Sequence, residues 1–153
     1  MCLHNNQISA RAKASMAGWT LSEIMISMAL MAVLAALALP AYNAQQRQAR
    51  RSDAQSALQQ LQLEQARWRG THDSHASELN TLGWTSDRSP SGHYQLRIED
   101  ASAEGYTLTA TPIGAQAQDT ACLPMRLQLL QTARVVMSSG ADMTADTGHC
   151  WRQ

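Results

Sequence analysis

Residues 24–39 read IMISMALMAVLAALAL, sixteen positions with no charge and Ser27 as the one polar side chain. Extended back to Trp19, the run is twenty-one residues long. As a helix rising about 1.5 Å per residue it spans roughly 30 Å, the hydrocarbon thickness of a bilayer. The eighteen residues before Trp19 hold Arg11 and Lys13 and no acid. The positive-inside rule therefore keeps the N-terminus in the cytoplasm and sends the bulk of the chain outward.

A secretory signal peptide shares the basic start and the apolar stretch. Here the stretch is longer than a usual signal core, and no convincing A-x-A cleavage site precedes the polar chain after Pro40. Glu23 is a further obstacle. A carboxylate at the start of an apolar run costs on the order of 3 kcal/mol in hydrocarbon unless it is paired or lies at the interface, so this acid calls for a cationic partner.

The order Gly18-Trp19-Thr20-Leu21-Ser22-Glu23, then the apolar run, then Leu39-Pro40-Ala41-Tyr42, resembles the class III signal of type IV pilins and related pseudopilins. The resemblance implies that a prepilin peptidase cuts after Gly18 on the cytoplasmic face and methylates the new amine of Trp19. Glu23 is then the acid at the fifth mature position. It neutralises the terminal ammonium of a neighbouring subunit as apolar helices bundle in a filament, which relieves two costly charges together. Loss of the leader, residues 1–18, removes Arg11 and Lys13, leaving ten cations against twelve acids and a formal side-chain charge of −2. Two positions depart from the family pattern: Trp19 stands where phenylalanine is usual, and Ser22 where an aliphatic residue is common.

Residues 19–40 thus form the membrane and filament-core half of a helix, and 41–70 an amphipathic half. Pro40 removes the hydrogen bond its N–H would give to the carbonyl of Ala36. It either ends the helix or kinks it, and the second reading is preferred because helical signals resume at once. Between Ala41 and Arg69 there is no Gly or Pro, and Gln, Ala, Leu and Arg abound. Ala54, Leu58, Leu61, Gln65 and Trp68 recur at helical spacing, a stripe that should pack on a head, with Gln46, Gln48, Arg51 and Gln55 turned mainly to solvent or neighbouring subunits. Gly70 is a reasonable stop.

Residues 71–153 form the globular head. Gly, Ser, Thr, Asp and Asn crowd residues 71–92, which reads as loop, and Ser77 to Trp84 resembles the short leucine-bearing segment of the pilin αβ loop. Alternation then puts Tyr94, Leu96 and Ile98 on one face, and Tyr106, Leu108 and Ala110 on another strand, with Glu99 to Gly105 connecting them. Met125, Leu127 and Leu129 repeat the pattern, and residues 134–137 supply a fourth strand broken by Gly140. The fold class expected is α+β, a long N-terminal helix on a small antiparallel sheet. The chain of 153 residues leaves little room for a second domain, and the absence of phenylalanine, with 5% aromatic residues, argues against a large aromatic-rich core.

Of three cysteines, Cys2 goes with the leader. Cys122 and Cys150, placed outside the cytoplasm, are expected to form a disulfide. A near-C-terminal pair also bounds the D-region of type IV pilins, here 122–150. Gly114 to Asp119 together with the Cys150-Trp151 ending resembles minor pilins of the PilE type more narrowly.

Other chemistry has weaker support. His72, His75 and His149 lack the close ligand pairs of a zinc site, and Asp142 with Asp146 falls short of a calcium loop, so no metal and no cofactor is expected. No phosphate loop, nucleophile elbow or acid and base pair is recognisable, which argues against an enzyme. Twelve basic against twelve acidic residues argue against a generally basic nucleic-acid binder. The cluster Arg47, Arg50 and Arg51, continued by Arg67 and Arg69, could attract DNA phosphates; a short arginine run beside a membrane helix more often anchors it at the interface or meets another subunit.

The resemblance implies a minor pilin that supports twitching motility, adhesion or DNA uptake. Its implied partners are other major and minor pilin subunits, prepilin peptidase and the inner-membrane assembly machinery. It would wait in the inner membrane with its head in the periplasm, then join an extracellular pilus. A minor pseudopilin of type II secretion and a DNA-binding competence pilin are the alternatives.

Overall fold

The computed structural model describes residues 20–140 and 150–151. The chain divides into two compact units, the first ending at Pro40 and the second beginning at Ala41. One helix, α1 (Leu21–Arg69), contributes to both. The helix does not end at Pro40, which sits inside it. Proline removes one donor and the turns on either side continue, because leucine and alanine before it and alanine and glutamine after it all favour helix.

In the second unit, strands β1 (Tyr94–Glu99), β2 (Tyr106–Pro112), β3 (Met125–Leu129) and β4 (Val135–Ser139) form an antiparallel sheet in sequence order. Leu96 stands opposite Ala110, Leu108 opposite Leu127, and Leu127 opposite Met137. The fourth strand lies slightly later than the sequence pattern suggests, running up to Gly140, whose φ of 85° a side chain would resist. A short 3₁₀ turn, Asn80–Leu82, occupies the leucine-bearing segment before the sheet. Two more, Gly114–Gln118 and Thr120–Cys122, link β2 to β3. Gly105 packs against the carbonyl of Leu129, where a side chain would not fit.

The core joins Ala54, Ala57, Leu58 and Leu61 of α1 to Tyr94, Leu96, Leu108, Met125 and Leu127 of the sheet, closed by Leu82 and Trp151. The helical stripe is wider than expected. Gln65 is buried and Trp68 half-buried as the spacing suggests, and Asp53 and Ala57 are buried beside them. The placement of Arg51 and Gln55 toward solvent is corrected: both are half-buried and bond to the head. Head loops wrap the flanks of the helix, so burial reaches beyond the strip that touches the sheet.

Candidate functional site

The N-terminal part of α1 begins with a cap. The N–H of Glu23 donates to the carbonyl of Thr20 at 3.1 Å and to its hydroxyl at 3.3 Å, satisfying a donor that the first turn leaves without a helical partner. Ser27 donates its hydroxyl back to the carbonyl of Glu23 at 2.8 Å, so the one polar side chain of residues 24–39 needs no partner from outside. The large side chains around it are bare, from Ile24 at 44% exposed to Leu21 at 77%. By length and composition the helix can cross a membrane. A surface so apolar is stable only in lipid or against other apolar helices. Among the described residues no cation pairs with the carboxylate of Glu23.

In the second unit, polar groups tie α1 to the segment between β2 and β3. Arg51 grips Asp119 with two bonds, Nε to Oδ2 at 2.7 Å and Nη2 to Oδ1 at 2.8 Å. The amide of the buried Gln116 donates to the Arg47 carbonyl and the Tyr94 hydroxyl, both at 3.0 Å, and to Asp119 at 3.2 Å. Burial pushes the Tyr94 phenol up to about 12, with the Gln116 bond opposing the shift. Cys122 and Cys150 are joined by a disulfide. Gln55 donates to the Cys150 carbonyl at 2.8 Å, and the indole N–H of buried Trp151 donates to the Ser138 carbonyl at 3.1 Å.

Two buried polar residues of the helix hold the αβ loop. Asp53 accepts the Ser89 hydroxyl at 2.6 Å and the Ser91 N–H at 3.0 Å, and the Ser89 hydroxyl in turn accepts the Tyr94 N–H. Gln65 pairs with both backbone groups of Ala76, at 2.7 and 2.9 Å. Sequence periodicity passes over Asp53, because an aspartate within a helix reads as a surface residue. The signal that could have found it is its place beside Ala54 on the inward face.

Gly18 and Trp19 lie outside the described residues, as do His149, Asp142 and Asp146. Arg50 donates to Gln46 at 3.1 Å, and Gln46 donates to the Tyr42 hydroxyl, a ladder along one helix face. Arg47, Arg50 and Arg51 therefore do not form one open patch, since the guanidinium of Arg51 is given over to Asp119. The two histidines part company as well. His72 stacks on Trp68 with ring centres 3.5 Å apart, and His75 is buried edge-on against Tyr106. Among the described residues no group of three His, Cys, Asp or Glu is placed to hold a metal.

The part of the helix from Pro40 onward, the αβ loop, β1 and β2 fall within residues 40–126, which match the family model described as "Type IV minor pilin ComP, DNA uptake sequence receptor". The match covers more than half of the chain. No curated protein matches it.

Proposed function

The chain belongs to the ComP family of type IV minor pilins, and from that premise we propose that it is cleaved after Gly18 and inserted through α1 into a pilus filament. The observation that carries this reading is the predominantly apolar, exposed N-terminal part of α1 with Glu23 at its start. In the inner membrane that surface meets lipid, and in a filament it meets the same part of neighbouring subunits. Glu23 then accepts the terminal ammonium of a neighbour's Trp19. The leader's Arg11 and Lys13 favour an orientation with the head in the periplasm before assembly. The function proposed is structural, with no catalysis, and the pilus reading replaces the secretion alternative because the matched family is a pilus minor pilin.

Peptide mass spectrometry under non-reducing conditions tests this on sheared surface filaments and on the membrane fraction. The expected result is a methylated peptide beginning at Trp19 in the filaments. A processed chain that stays in the membrane while pili lack it would overturn incorporation and leave an assembly-only role. Glu23→Ala should be processed normally and disappear from filaments; normal incorporation would remove the charge-pairing role.

A second reading is favoured by the match itself, whose family is described as a DNA uptake sequence receptor. We extend that to capture of DNA at the filament surface. Retention of duplex DNA by filaments with and without this subunit tests it, and equal retention would remove it.

A further inference from the structure

The inward stripe of α1 does not stop where the core stops. Counted back from Leu61 through Leu58 and Ala54, in steps of three or four residues, it meets Arg50 and then Arg47. Two guanidiniums thus occupy the stripe between the packed core and the apolar run that ends at Leu39. Arg50 donates to Oε1 of Gln46 at 3.1 Å, and the Gln46 amide donates to the Tyr42 hydroxyl at 3.2 Å. The ladder therefore runs toward the N-terminus, the direction in which helical side chains lean. Tyr42 is 61% exposed, so its ring is no part of the core of the head.

The head brings these cations no counter-charge. Its link between β2 and β3 reaches this part of the helix, where the Gln116 amide donates to the Arg47 backbone carbonyl, but the acid on that link, Asp119, is held by Arg51. Asp53, the next acid along the helix, is turned to Ser89 and Ser91. Among the described residues neither Arg47 nor Arg50 is in an ion pair. Both are half-buried, and a partly desolvated guanidinium gains more from an anion than one in open water. Depth decides which anion is at hand. Ala41 follows the apolar run, and the polar layer outside a bilayer's hydrocarbon is about 5 to 8 Å thick on each side. From Ala41 the backbone rises roughly 9 Å to Arg47 and roughly 14 Å to Arg50, and both side chains lean back toward that layer. Tyrosine at the hydrocarbon edge with arginine just beyond it is the pairing that anchors a span among headgroups.

We infer that Tyr42, Arg47 and Arg50 form a headgroup site for an anionic phospholipid of the leaflet that faces the head, the two guanidiniums holding its phosphodiester through charge-assisted hydrogen bonds and the tyrosine ring lying at the acyl boundary. This rests on the reading of α1 as a membrane span awaiting assembly. The site fixes how far the subunit stands out of the bilayer, and drawing the chain into a filament breaks it. Arg51 takes no part, because Asp119 already matches its charge.

The test uses the full chain in a non-ionic detergent, titrated with phosphatidylglycerol or with phosphatidylcholine of the same acyl chains, and reads bound lipid by native mass spectrometry. A basic side chain at an anionic surface is worth about fivefold in affinity, so the wild type should prefer phosphatidylglycerol by about 25-fold, and Arg47→Gln and Arg50→Gln should each lose about fivefold of that preference. Affinity for phosphatidylcholine should not change. Among the described residues neither side chain bonds to the head, so both variants should fold. Arg11 and Lys13 of the leader also attract anionic lipid, and the losses should persist in an Arg11→Gln, Lys13→Gln background. A wild type indifferent to headgroup, or an Arg47→Gln, Arg50→Gln double variant that keeps the full preference, would overturn the site; if carbonate washing leaves that chain in the membrane, the membrane reading stands. A wild-type chain that carbonate releases would overturn both. Loss of duplex DNA binding in the double variant, with its lipid preference intact, would assign the arginines to DNA and the inference would fail.

Discussion

Arg51 and Asp119, far apart in the sequence, meet as a forked ion pair with both carboxylate oxygens engaged at 2.7 and 2.8 Å. Their side chains are 13% and 6% exposed, so neither charge is well hydrated when the other is removed. Arg51→Ala strands the Asp119 carboxylate beside Gln116, and the loss should be about 3 kcal/mol. Urea unfolding of Arg51→Ala, Asp119→Ala and the double variant measures it. The double variant should cost less than the sum of the singles, and strict additivity would mean that the pair contributes nothing as a pair.

Asp53 anchors the αβ loop through Ser89 and Ser91. Asp53→Ala removes two hydrogen bonds to a buried charged acceptor and should cost about 2 to 3 kcal/mol. The local effect is more specific: amide exchange at Ser91 should accelerate in this variant well beyond the change at β2. Uniform acceleration over the whole head would mean that Asp53 contributes only to global stability.

His75 gives the head a dependence on pH. Burial lowers its pKa from the usual 6.5, and the charge of Arg69 lowers it further. The unfolded chain therefore takes up the proton before the folded one does. Its contribution to stability is whole above about pH 6.5 and falls as the pH drops toward the lowered folded value. Nδ1 has no hydrogen-bond partner in the fold, so an N–H formed there on protonation would meet no acceptor. Denaturation midpoints between pH 7.5 and pH 5 should decline, and His75→Gln should flatten the decline; an equal slope in both proteins would remove His75 as its cause.

The disulfide between Cys122 and Cys150 closes a loop of twenty-nine residues counted inclusively. In the chain-entropy account, closing a loop of that length restricts the unfolded chain by about 3 to 4 kcal/mol. Cys150→Ser, which removes the covalent link with little change of volume, should lose at least that much stability. Reductant should destabilise the wild type toward the variant and leave the variant unchanged, as calorimetry with and without reductant would show.

The long apolar run and the alternation of the strands were legible in the sequence because each is a local pattern. Period 3.6 places Leu58 and Leu61 on one helical face, and period 2 places Leu96, Leu108 and Leu127 on one sheet face, wherever the elements end up. The boundary of β4 was less legible, since Arg134 is as compatible with a strand as Val135 is, and only pairing with β3 settles which residues join the ladder.

By itself the sequence determined the main elements, their order, the apolar helix that requires lipid or other helices, and the pairing of Cys122 with Cys150. Tertiary structure alone decided the roles of the polar residues. Asp53, Arg51 and Gln116 carry no periodic signal, and each is inside or at the edge of the core because a partner distant in sequence supplies its hydrogen bonds. A hydrophobic side chain is placed by its transfer out of water, which any apolar environment satisfies, whereas a polar one needs a particular partner at a particular distance.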